Sequence, residues 1–200
     1  MRILLLSVLA LCCLPLQAET NAFKFVRPDI ITDPSPSRFS VCYNTGCREL
    51  QVVALTAAQW RQIESVFRHQ YDRPAQERVL IKIALQRMER FVGRLTGTSH
   101  DKAKNARGFF AGSNQMDCID EATNTTLYLV MMQKAGLLKF HSVEKIAHRF
   151  FPLLMLPHSS AVIRERHSNR KYAVDAWFRD NGQPPYIISL RRWRRGWKPN

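Results

Sequence analysis

Apolar residues recur at helical spacing in three stretches of the chain. Thr56 and Gln59 have the spacing of a capping box, and Trp60, Ile63 and Phe67 share one face behind them. A helix is therefore expected to start at Thr56. Pro74 suits the first turn of a second helix reaching about Leu95, with Leu80, Ile83, Ala84, Phe91 and Leu95 mostly on one side and Gly97 beyond its end. A third helix is expected from about Cys118 to Lys134, ending at Gly136. From Phe150 onward the period shortens. Ser160–Ile163 and Tyr172–Val174 read as strands joined by a turn at Glu165–Ser168; Asp180-Asn181-Gly182 is a second turn and Tyr186–Ile188 a third strand. Helices first and strands afterwards predict an α+β fold, with N-terminal helices packed on a small antiparallel sheet.

Two polar stretches interrupt this pattern. Residues 19–40 hold Pro28, Pro34 and Pro36 among Asp and Ser, and read as an extended N-terminal arm. Residues 96–117 read as a long surface loop broken by Phe109-Phe110, a length that usually signals function. Residues 1–18 have the layout of a cleavable export signal: Arg2, an uncharged apolar run from Ile3 to Leu11, and Ala18 at the cleavage point. A lipoprotein leader ending at Cys12 or Cys13 ranks second, because Leu9-Ala10-Leu11 suits that processing poorly. No other run approaches transmembrane length. The expected organisation is a signal (1–18), an arm (19–54), one domain (55–189) and a basic aromatic tail (190–200), with the working protein periplasmic or secreted.

Charge narrows the partners. The net charge is +14, or about +13 once Arg2 leaves with the signal. Such a surface attracts anions and does so in a salt-sensitive way. The tail Leu190-Arg-Arg-Trp-Arg-Arg-Gly-Trp-Lys198 interleaves Arg191, Arg192, Arg194, Arg195 and Lys198 with Trp193 and Trp197. It suits an anionic envelope component or peripheral membrane contact, with tryptophan at the interface. Nucleic acid is the least favoured partner. The simpler alternative is a solvated tail with Trp193 docked on the body.

Without the leader, three cysteines remain. Cys42 and Cys47 flank Tyr43-Asn44-Thr45-Gly46, a turn-forming segment, and should pair in an oxidising compartment. Cys118 is left over: inert and buried, an intermolecular link, or a working thiol. It opens a helix, where backbone amides and the helix dipole favour a thiolate and can hold an oxyanion. His158, at a strand start, and Asp175, at the end of the next strand, could complete a thiol–imidazole–carboxylate set. If Arg164 pairs with Asn169, His158 falls opposite Asp175; a shift of two leaves them diagonal on one face, and a shift of one separates them. Asp117, Asp120 and Glu121 crowd Cys118 and oppose thiolate formation, unless they cap the helix or bind amides. Gln115 and Asn114 are candidate oxyanion donors. His69, His100, His141, His148 and His167 lack metal-ligand spacing, so neither metal nor cofactor is expected; His141 and His148 could share a helix face. Trp177 and Phe178 read as core. Asn124-Thr125-Thr126 matches a glycosylation acceptor, but within the third helix.

Met116-Asp-Cys-Ile-Asp-Glu121, Pro157-His-Ser-Ser-Ala-Val-Ile163 and Tyr172-Ala-Val-Asp-Ala-Trp177 together resemble the transglutaminase-like branch of the papain-like thiol superfamily, with similar order and spacings of 40 and 17 residues. The resemblance covers about residues 110–180. The whole chain, including Cys42-Tyr-Asn-Thr-Gly-Cys47, also resembles an uncharacterised family of exported proteobacterial proteins. What the resemblance implies is amide hydrolysis or acyl transfer through a thioester, with Cys118 as nucleophile, His158 as base and then acid, and Asp175 as its orienter. The substrate would be a peptide or other amide. Ser159 and Ser160 stand where many relatives carry an aromatic residue. The alternative function is a non-catalytic envelope-binding module on the same scaffold.

Overall fold

The computed structural model describes residues 27–68, 70–105, 114–150 and 157–200. The leader at 1–18, Phe109 and Phe110 lie outside the described residues.

The three expected helices form. Helix α1 (Ala57–Glu64) starts at Thr56, whose hydroxyl accepts the Gln59 amide at 3.2 Å while the Gln59 side chain accepts the Thr56 amide at 2.8 Å. It passes into a 3-10 turn at Ser65–Arg68. Helix α2 (Pro74–Thr96) opens on its proline and stops at Gly97, which is left-handed at φ 77°. That conformation favours glycine; a Cβ here would also lie 2.7 Å from the side-chain Nδ2 of Asn114, which would have to move aside. Helix α3 (Cys118–Lys134) is buried on all sides from Asp120 to Leu129. It is the central element and packs against α2 and both sheets.

The first sheet is a hairpin of β1 (Phe39–Tyr43) and β2 (Glu49–Val53). Of the stretch read as an arm, β1 takes Phe39 and Ser40, and the described residues 27–38 lie outside the named strands. Phe39, Ser40, Val41 and Cys42 are all buried, and Phe39 meets the Tyr128 ring of α3 edge-on, centroids 6.0 Å apart. The strand, apolar but for Ser40, is buried because it packs on α3. The Cys42–Cys47 disulfide closes the hairpin end.

The second sheet is an antiparallel meander in the order β3 (His141–Phe150), β4 (Pro157–Glu165), β5 (Lys171–Asp175), β6 (Tyr186–Ser189). Strand β3 was not anticipated, and it places His141 and His148 on a strand, not on a helix face. Alternate residues divide the sheet's two faces. Ala161, Ile163 and Val174 join the core around α3. Ala147, Val162 and Ala173 face the other way and are covered by Leu190 and Trp193 of α4 (Leu190–Arg194). The four helices and two antiparallel sheets make an α+β fold. No helix among the described residues is long and apolar enough to cross a membrane.

Candidate active site

Cys118 is the first residue of α3 and is partly exposed; among the described residues it is the free cysteine. Its Sγ lies 3.8 Å from the carbonyl oxygen of Pro157, the residue before His158. Burial pushes its thiol up to about 11, helped by the charges of Asp117 and Asp175; the Ser159 amide offsets this in part. The expectation that the helix terminus would lower the thiol is therefore not met in the resting protein. Desolvation of the thiolate outweighs the terminal amides.

His158 and Asp175 meet. His158 Nε2 is 2.7 Å from Asp175 Oδ2, and both residues are buried. The register differs from the expected one by two residues. Ala161 pairs with Val174 and Arg164 with Lys171, so extending the ladder sets Asp175 opposite Ser160. His158 is then the diagonal neighbour on the same face, still within side-chain reach. The turn explains the shift: Glu165 N donates to Arg170 O, and Asn169 takes the left-handed conformation at φ 55°, so the turn occupies residues 166–169 instead of 165–168.

A carboxylate only accepts, so the proton shared with Asp175 sits on His158 Nε2. That leaves Nδ1 as the basic nitrogen, and it is buried without a hydrogen-bond partner among the described residues. Three aromatic rings enclose the imidazole: Trp177 at 4.7 Å, Phe178 at 5.3 Å and Trp193 at 5.5 Å between centroids. They restrict its orientation, and their faces suit an imidazolium. Trp177 and Phe178 are thus walls of the site as well as packing.

Trp193 docks on the body, as the simpler of the two readings of the tail has it; its contact with Asp175 is what the sequence does not show. It is fully buried, and its Nε1 donates to Asp175 Oδ2 at 2.6 Å. Arg149 lies over its ring at 4.5 Å and donates to the Trp193 and Trp197 carbonyl oxygens. Trp197 packs edge-on against Phe178 and Tyr186. Trp193 is thus withdrawn from the surface, while Trp197 is half-buried. The signal in the sequence was the three-residue spacing of Leu190 and Trp193, hidden among arginines.

The acids near Cys118 mostly serve as acceptors. Asp117 caps α3, accepting from the Ile119 and Asp120 amides at 2.9 and 3.0 Å. Asp120 accepts from the amides of Thr45 at 2.8 Å and Cys47 at 2.6 Å, and Asp117 from Gly46 at 3.0 Å. Residues Asn44 to Cys47 are all left-handed, at φ 57–67°, which turns these amides inward as a nest for the two carboxylates. Asn124, fully buried, accepts the Cys42 amide and donates to the Cys42 carbonyl, both at 2.8 Å. It locks β1 to α3 and is inaccessible for glycosylation. Glu121 is buried and pushed well above its usual range by desolvation and by neighbouring acids, Glu89 first among them. The shift favours its neutral form and weakens its negative field near the sulfur.

Gln115 is occupied in holding the loop after α2. Its Oε1 accepts from Lys102 N and Asn105 Nδ2, and its Nε2 donates to His100 O at 3.2 Å. Asn114 lies over Gly97, and its amide donates to Asn44 Oδ1 at 2.7 Å. Of the proposed tail cations, Arg191, Arg194 and Arg195 line a groove, whereas Arg192 and Lys198 are exposed outside its lining. No protein-family model, curated protein or solved structure matches the chain.

Proposed function

We propose that this is an exported transglutaminase-like thiol enzyme that cleaves or transfers an acyl group from an amide or ester. One observation carries the reading: His158 is held through Nε2 by Asp175, while its buried Nδ1 has no partner among the described residues and the neighbouring Pro157 carbonyl contacts the Cys118 thiol. In the reaction, Nδ1 takes the thiol proton as Sγ attacks the substrate carbonyl carbon. The Cys118 amide, at the first position of α3, donates to the oxyanion that forms. Collapse of the tetrahedral adduct breaks the bond to the amine or alcohol, which leaves with the proton from Nδ1. Water or an amine then loses a proton to Nδ1, attacks the thioester and returns Sγ as thiol. Because the thiol is neutral at rest, this is general-base activation at the moment of attack, not a standing thiolate. The disulfide, and a leader-like first 18 residues, support an oxidising compartment.

The second reading is a non-catalytic scaffold, favoured by the upward shift of the thiol. A reporter-tagged activated ester separates the two. Acyl transfer to Cys118, read by mass spectrometry, should fall about 100-fold or more in His158→Ala, the lower end of the usual general-base contribution. Equal acylation of the wild type and His158→Ala would exclude the enzyme and leave the scaffold.

A further inference from the structure

On the opposite side of α4 from Trp193, a groove of about 600 Å³ runs between the helix and the start of β5. Its lining includes Arg170, Lys171, Arg191, Arg194 and Arg195, all exposed, over Leu190. It contains no acid. Lys171 donates to Glu144 at 2.6 Å, whereas none of the four arginines forms an ion pair among the described residues. A second hollow of about 520 Å³ shares Lys171, Leu190 and Arg194 and extends the first toward Lys145 on β3; its one acid, Glu144, is paired with Lys171 and Arg164. The two give an elongated depression of net positive charge, with the arginines concentrated in the first.

Four arginines around one concavity repel each other, and that repulsion is relieved by a bound anion. Guanidinium forks match oxyanions bidentately, and several of them can share one phosphate. The groove's length suits a chain of anions better than a single ion. A membrane is the poorer fit, because the groove is concave, Trp193 is buried, and Trp197 is half-buried with its ring against Phe178. Bases of nucleic acid would lack a platform here, since the one aromatic ring in the lining, Tyr172, is half-buried and stacked under Arg78 at 4.1 Å.

We infer that this groove binds a flexible, soluble polymer bearing closely spaced phosphate groups. The site is separate from the thiol chemistry and does not depend on it: Lys171 and Asp175 sit at opposite ends of β5, about 13 Å apart at ordinary strand rise.

Short-chain inorganic polyphosphate, binding the full oxidised chain at about 0.15 M salt, is the direct probe. The triple variant Arg170→Gln, Arg194→Gln, Arg195→Gln should weaken binding at least 10-fold. A control removing the same charge elsewhere, Arg61→Gln, Arg68→Gln, Arg94→Gln, should weaken it less than 3-fold. Equal losses in the two triples would overturn the groove, leaving net charge alone. Tighter binding of polyglutamate or of a single-stranded oligonucleotide at matched charge would overturn the phosphate polymer. Groove-dependent binding of phosphatidylglycerol vesicles that polyphosphate does not displace would replace the soluble ligand by a membrane. Acyl-probe labelling of Cys118 should be unchanged in both triples.

Discussion

Trp193 and His158 donate to the same oxygen of Asp175, at 2.6 and 2.7 Å. The indole therefore helps fix the oxygen that holds the imidazole, and the imidazole orientation depends on a residue 35 positions further along the chain. Trp193→Phe keeps most of the ring and removes the donor. It should slow Cys118 acylation about 10-fold, in proportion to one charge-assisted hydrogen bond. Trp193→Ala adds a core cavity and should cost about 3–5 kcal/mol in denaturant titration as well. A Phe variant with unchanged acylation would show that Trp193 only packs.

The thiol's upward shift sets a pH signature. Alkylation of wild-type Cys118 by iodoacetamide should be slower at pH 7 than for a free cysteine, then climb through pH 9 toward the thiol's value near 11. A plateau already reached at pH 7 would show a standing thiolate. Asp117→Asn should speed alkylation at pH 8 by removing one of the charges that oppose ionisation.

Beneath the site, burial pushes Glu89 up to about 8 and Asp101 up to about 7. In the unfolded chain both titrate near 4. Between those values the folded state holds protons that the unfolded state has released. The stability these groups contribute is complete below about pH 4 and is lost as pH rises to about 8, at up to about 1.4 kcal/mol per pH unit per proton. Melting temperature should therefore fall from pH 5 to pH 8. Glu89→Gln, which keeps an acceptor for the Asn181 amide at 2.9 Å, should flatten that slope. An unaltered slope would show that Glu89 does not carry it.

Opening the Cys42–Cys47 loop by Cys42→Ser and Cys47→Ser should cost about 2 kcal/mol from chain entropy alone. A larger loss is expected because the nest for Asp117 and Asp120 loosens with it. In a double-mutant cycle, Asp120→Ala should cost less in the opened protein than in the cross-linked one. Additive costs would mean that the loop and the helix cap are independent.

The three long helices were legible because their start and stop residues agree with their periodicity: Thr56 with Gln59, Pro74 with Gly97, Cys118 with Gly136. Strand β3 was not, since the irregularity between Glu144 and Ala147 breaks its alternation. Strand β1 was obscured by the prolines around it. His158 and Asp175 were legible as a pair because a register error of two preserves the face; the turn that produced the error is set by the left-handed Asn169, a preference visible in the sequence but outweighed by Glu165-Arg-His-Ser168. The docking of Trp193 on the body was legible as one reading of the tail, but its hydrogen bond to Asp175 was not, because only tertiary packing brings the two together.

The nest at residues 45–47 also sets an order of assembly. Its cross-link joins residues five apart and can close before distant strands meet, while the amides it organises hold the acids that begin α3. A newly made chain kept reduced would carry the Cys118 thiol without a finished platform beneath it. Oxidation of one pair of sulfurs thereby stiffens the seat of the third, coupling the redox state of the loop to the placement of Cys118.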